Sequence, residues 1–158
     1  MFREITRKKQ QLGNGECVRI LKEELRGVLS VAGDGGYPYG LPINHYYNEG
    51  DGCLYFHSGM TGHKIDAIRR CGKASFCVYD RGFRREGEWA LNIKSVIVFG
   101  RVEIIEDKET IYDMARKLSH KFTRDDAYIE KEITHSGSRT LLFRLVPEHM
   151  TGKLVNES

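Results

Sequence analysis

The stretch "YFHSGMTGHKIDAIRR", residues 55–70, changes character twice. It starts with the aromatic pair Tyr55 and Phe56 followed by His57 and Ser58, which reads as the end of a strand, and passes through Gly59 and Gly62. It ends with Ile65 and Ile68 three apart, the spacing of one helix face. A helix that begins straight after a glycine-bearing loop presents free N–H groups, and such a terminus favours an anion. Gly59–Lys64 reads G-x-x-G-x-K. That pattern lacks the longer gap of the nucleotide-binding P-loop, and Ile65 stands where the P-loop needs Ser or Thr for magnesium, so ATP hydrolysis is not expected. The hydroxyl of Ser58 and the charge of Lys64 still suit a smaller phosphate. A turn whose glycines serve geometry and whose lysine is solvated fits these residues equally well.

Outward from this stretch the chain alternates strands and short turns. Towards the N-terminus, Cys17, Ile20, Leu21 and Leu25 stand at helical spacing, with Asn14 as the expected cap and Gly27 as the expected stop. The runs "VLSVA", "YPYGLPINHYY" and "CLYFHS" follow, separated by "GDGG" and "NEGDG", and read as a meander. Towards the C-terminus come a strand "KASFCVYD", a loop "RGFRREGE", and a long extended segment "WALNIKSVIVFGRVEIIE" in which Gly100 predicts a bulge or bend. Asp107 is expected to open a helix with the apolar stripe Ile111, Met114, Ala115 and Leu118, and a weaker helix follows. The last strand, "RTLLFRLV", is expected to end at Pro147. Parallel strands need crossovers of a dozen or more residues, and only the later helical pair offers one; a small antiparallel barrel is therefore expected.

At 158 residues the chain suits one domain, taken as 1–158 with its core at about 15–153. Twenty-five Lys and Arg against 22 Asp and Glu leave a formal charge of +3. So even a balance suits a small anionic ligand, and no nucleic-acid partner is expected. No window approaches the ~18 apolar residues of a membrane span, so a cytoplasmic protein with no membrane partner is expected. The four cysteines lack the paired spacing of a zinc site or a disulfide framework and read as reduced thiols, with no metal expected. His45, Tyr46, Tyr47 and Trp89 have ordinary packing roles open to them alongside pocket roles, and Arg81, Arg84 and Arg85 form either a charged hairpin or a cover for a site.

In order, "GYPYGLPIN", "CLYFHS", "GHKIDAIRR", "SVIVFGRVE" and "RLVPEHMTGK" resemble the FMN-binding split-barrel family related to pyridoxamine 5'-phosphate oxidase. The likeness is nearest to its nitroimidazole-resistance and nitroreductase-like branch. The resemblance implies a mainly β protein with accessory helices, built on a six-stranded antiparallel split β-barrel, with FMN held at a homodimer interface. By motif, it implies that Pro42, Ile43 and Asn44 run along the flavin edge. His57 and Ser58 would meet the ribityl phosphate, His63 and Lys64 would bind it at the helix start, and Ser95 would reach the flavin from the other side. Lys94 replaces the glutamine that usually precedes that serine. The chain has neither the Trp-containing segment nor the final basic signature of the oxidase, so pyridoxamine phosphate oxidation is not expected. The implied activity is an FMN-dependent oxidoreductase passing electrons from a reduced nicotinamide, NAD(P)H, to a small aromatic or nitro-type acceptor. The alternative is a non-catalytic module of the same fold that holds flavin, deazaflavin or haem. No catalytic side chain is singled out.

Overall fold

The computed structural model describes residues 1–157; Ser158, the last residue of the expected domain, lies outside the described residues. Helix α1 (Asn14–Glu23) precedes strands β1 (Arg26–Ala32), β2 (Pro38–Asn44), β3 (Tyr46–Asn48) and β4 (Cys53–Gly59). Helix α2 (His63–Arg70), β5 (Lys73–Tyr79) and β6 (Asn92–Ile105) follow, then α3 (Lys108–His120), α4 (Asp126–Ser136) and β7 (Thr140–Asn156). Every strand pairing is antiparallel, in the order β2-β1-β5-β6-β7-β4-β3. The two outermost strands, β2 and β3, are separated in the chain by His45 alone. One bent segment thus supplies both ends of the sheet, which curls round until they meet as a split barrel. This also accounts for seven strands where six were expected: the run "YPYGLPINHYY" breaks at His45, which turns inward and is fully buried.

Alternation along the strands divides the side chains cleanly. Leu29, Phe56, Phe76, Val98, Phe143 and their neighbours fill the barrel, with Ile20 and Leu21 of α1 and Ile65 and Ile68 of α2 packed against them. Tyr55 and Leu142, on the outer side of β4 and β7, instead meet Met114 of α3. The amphipathic stripe read from the sequence is thus what seats α3. Its start is also as expected: the Asp107 carboxylate accepts the Thr110 N–H at 2.8 Å.

Three boundaries differ from expectation. Gly13, not Asn14, is the N-cap of α1. That helix stops at Glu23, so Leu25 falls outside it and is exposed, and Gly27 lies inside β1. Gly27 is there because a Cβ would come within 2.5 Å of the Cys77 carbonyl oxygen on the neighbouring strand. The last strand does not end at Pro147 but continues to Asn156. Phe99 faces His149 while Gly100 faces Pro147, so Glu148 is the extra residue of a bulge. Proline lacks the N–H a regular ladder would use and is tolerated at such an irregularity. Among the described residues no helix is long and apolar enough to cross a membrane.

Candidate functional site

Strand β4 does not stop before the glycine loop but runs through Gly59. His57 and Ser58 therefore point to opposite faces, His57 opposite Leu142 on the side facing α3, and Ser58 opposite Leu141 on the barrel side. Beyond Gly59 the chain turns through Gly62, whose φ of 120° is a conformation other residues rarely adopt, and enters α2. No side chain caps this helix. The N–H groups of Ile65 and Asp66 bond back to the Gly62 carbonyl, at 2.9 and 3.0 Å. Those ahead of them, on His63 and Lys64, face outward as helix-start donors. A Cβ added at Gly59 or Gly62 would meet nothing within 4 Å, so the loop borders open space.

Lys64 is half-buried. Burial holds its ammonium below the ordinary lysine value. No carboxylate among the described residues lies within ion-pair reach of it, in contrast to Lys94 and Lys117, which are paired at 2.6 and 2.7 Å. Lys64 also acts on His57: the desolvation of its ring first, and then the nearby Lys64 charge, lower the imidazole below its usual range, although the residue keeps an exposed surface. An uncompensated cation, bare helix N–H groups and an open glycine loop together make a place for a dianion. The residues present fit a flavin phosphate.

His63, adjacent to Lys64 in sequence, faces the β1–β2 turn. Its ring stacks on Tyr39 at 4.1 Å between centroids, and its Nε2 accepts the Asp34 N–H at 3.3 Å. Asp34 is also bonded to Arg70 at 3.0 Å. Asn44, at the end of β2, lines a cavity together with His57. Ile43 points into the core, so only its main chain is free to meet a ligand; β2 is an edge strand, whose outward N–H and C=O groups on alternate residues have no strand partner. Pro42 and Ser95 lie apart from the glycine loop. Pro42 faces Val28, Val28 faces Cys77, and Ser95 faces Tyr79, all on the outer side of the sheet. Lys94 points the other way and bonds Glu16 of α1 at 2.6 Å. The structure thus gathers His57, Lys64 and the end of β2 at one place and puts Pro42 and Ser95 on another face. Nothing along the chain announces Tyr39 or Asp34 beside His63, since both are distant in sequence. Ser119 was within reach: it extends the stripe Ile111, Ala115 by one more turn.

A model of the pyridoxamine 5'-phosphate oxidase family matches residues 13–154. The chain belongs to that family. It is a family of flavin-binding split barrels. Among curated proteins none matches. Among solved structures, a proposed 5-nitroimidazole antibiotic resistance protein from Bacteroides thetaiotaomicron has a TM-score of 0.76 at 21% identity, covering 92% of this chain and 87% of that one. An FAD-binding protein from Mesorhizobium loti has a TM-score of 0.65 at 28% identity, covering 92% and 97%. An FAD- and haem-binding protein from Mycobacterium smegmatis has a TM-score of 0.71 at 19% identity, covering 94% and 74%. The first and third of these likenesses show the fold.

Proposed function

We propose that the protein is an FMN-dependent oxidoreductase that transfers electrons from a reduced nicotinamide to a small aromatic or nitro-type acceptor. The observation that supports this most is Lys64: a half-buried cation with no partner among the described residues, at an uncapped helix start, in a family of flavin proteins. FMN ends in a phosphate dianion, which this arrangement is built to neutralise, whereas riboflavin has no such group.

When bound, the flavin supplies the redox chemistry. The chain's own residues hold and orient it. Lys64 and the N–H groups of the first turn of α2 fix the phosphate, with His63 beside them and the Ser58 hydroxyl on the barrel side. The free edge of β2, at Pro42, Ile43 and Asn44, offers main-chain donors and acceptors to the polar rim of the ring. His57 closes the cradle towards α3. Ser95 stands on the outer sheet face with exposed Val28, Tyr79, Ile97 and Phe99. So apolar a sheet face suits burial against a second copy of the chain, and Ser95 would then approach a flavin held at the shared interface.

The test is binding of FMN and riboflavin to Lys64→Ala, followed by flavin fluorescence. FMN affinity is expected to fall by tenfold or more, on the order of one charge-assisted bond, with riboflavin nearly unchanged. Equal losses for the two would remove Lys64 from the phosphate. The absorbance of purified protein separates a flavin from a haem, and anaerobic titration with NADH and NADPH separates an oxidoreductase from a carrier: a flavin that neither bleaches would leave only the carrier.

A further inference from the structure

Two cavities lie side by side between the α3–α4 pair and the outer face of β4 and β7. The larger, about 230 Å³, has walls that include Ile111, Ala115 and Leu142, and the smaller, about 160 Å³, is bounded by Leu118, Phe122 and Ile129. His57, Ser119 and Glu132 line both. They exist because α4 is fastened along one side. Arg116 of α3 bonds Glu130 at 2.6 Å and Asp126 at 3.0 Å, and His120 lies 3.3 Å from Asp126. Ile129 is the residue α4 buries; Ile133, one turn further, stays only half-buried. The helix is thus pinned at one edge and held off the strands at the other, and the gap is walled rather than collapsed.

The size of the gap decides what fits. Flavins and other cofactors occupy pockets of roughly 300–1,000 Å³, and the larger cavity by itself, at about 230 Å³, suits a smaller molecule. An apolar cavity of about 150 Å³ is enough for benzene. The one side chain in either wall that carries a full charge at neutral pH is the Glu132 carboxylate, and acceptors stand beside it. The Ser119 hydroxyl donates to the Ala115 carbonyl at 2.8 Å, which leaves its lone pairs free. His57, whose imidazole is held below its usual range, offers one ring nitrogen as an acceptor in its neutral form. Glu132 is exposed, and its carboxylate has no basic group within ion-pair reach among the described residues, while Asp126 and Glu130 on the same helix are both paired. No lysine or arginine lines either cavity.

We propose that the larger of these cavities is a second ligand site, beside the phosphate cradle, for a single-ring aromatic molecule carrying a protonated amine. The ring packs between Ile111, Ala115 and Leu142, and the ammonium is held by the Glu132 carboxylate with Ser119 and His57 as further acceptors. The site does not depend on the flavin reading, although its wall shares His57 with the cradle and the smaller cavity next to it reaches Asn44.

Fluorine NMR of 4-fluorobenzylamine and 4-fluorobenzoate added to the full chain near pH 7, with and without FMN, tests this. The amine signal should shift saturably in both cases and the benzoate signal should not. Glu132→Gln should weaken the amine by about tenfold, and Ala115→Phe, which fills the larger cavity, should abolish its binding. Should Ala115→Phe fail to fold, Ile133→Phe fills the same space from the outer helix. Absence of saturation by the amine, equal binding of benzoate, or amine binding that survives the filling variant would each overturn the proposal. Lys64→Ala should keep amine binding, so the failure of the flavin reading and the failure of this one are told apart.

Discussion

His45 shows how a single buried residue makes this fold sensitive to acid. Its imidazole is fully buried; Nε2–H donates to the Leu21 carbonyl at 2.7 Å and Nδ1 has no partner in the described structure. Burial, with the Lys121 charge second, lowers its pKa to about 3. Lys121 in turn donates to the carbonyls of Glu24 at 2.7 Å and His45 at 2.8 Å, and burial brings it down to about 8. The folded value for His45 lies below the ordinary value of 6.5, so between pH 6.5 and 3 the unfolded chain binds more protons. Stability therefore rises with pH across that window and is lost on acidification, by at most about 1.4 kcal/mol per pH unit. His45→Asn should be less stable than the parent near pH 7, yet its urea midpoint should fall less on going to about pH 4. Parallel acid limbs for the two proteins would place the titrating group elsewhere. The sequence left a packing role and a pocket role both open for His45; that it is buried and bonded to α1 depends on the chain bending there.

At the scale of elements, β6 and β7 depend on one glycine. A Cβ at Gly100 would stand 2.1 Å from the Val146 carbonyl oxygen and 3.1 Å from the Pro147 Cα, and both obstacles are main chain. Neither can rotate aside. Gly100→Ala should cost more than about 2 kcal/mol, read as a lower denaturant midpoint with an unchanged slope. A loss of a few tenths would mean that the ladder moves freely at the bulge. Gly100 was legible as a bulge because an isolated glycine in a long apolar strand has few other uses. Pro147 misled because a proline usually ends a strand, and its partner at the bulge lies far away in the chain. The end of α1 was misread for a related reason: Leu25 continues the helical spacing, but the β1–β2 pairing that starts with Arg26 facing Asn44 claims the backbone first.

For the whole molecule, the outer sheet face carries the next expectation. Val28, Tyr79, Ile97 and Phe99 are exposed there in neighbouring strands, and the proposed dimer covers them. Ile97→Glu should convert the parent to an 18.2 kDa species in sedimentation and weaken flavin binding with it. A parent that sediments as a monomer with flavin still bound would refute the shared site. By itself the sequence determined a small antiparallel barrel, the helix after Gly62 and the stripe of α3, because strand alternation, helical spacing and glycine placement are local and are written along the chain; that the barrel is a split one was implied by the resemblance of its motifs. Only the tertiary structure decided which residues meet: that β4 continues past Ser58 and parts it from His57, that His63 turns to Tyr39, and that α4 stands off the sheet to leave a cavity. Those outcomes rest on strand register and on packing between elements far apart in the chain, and no local pattern records them.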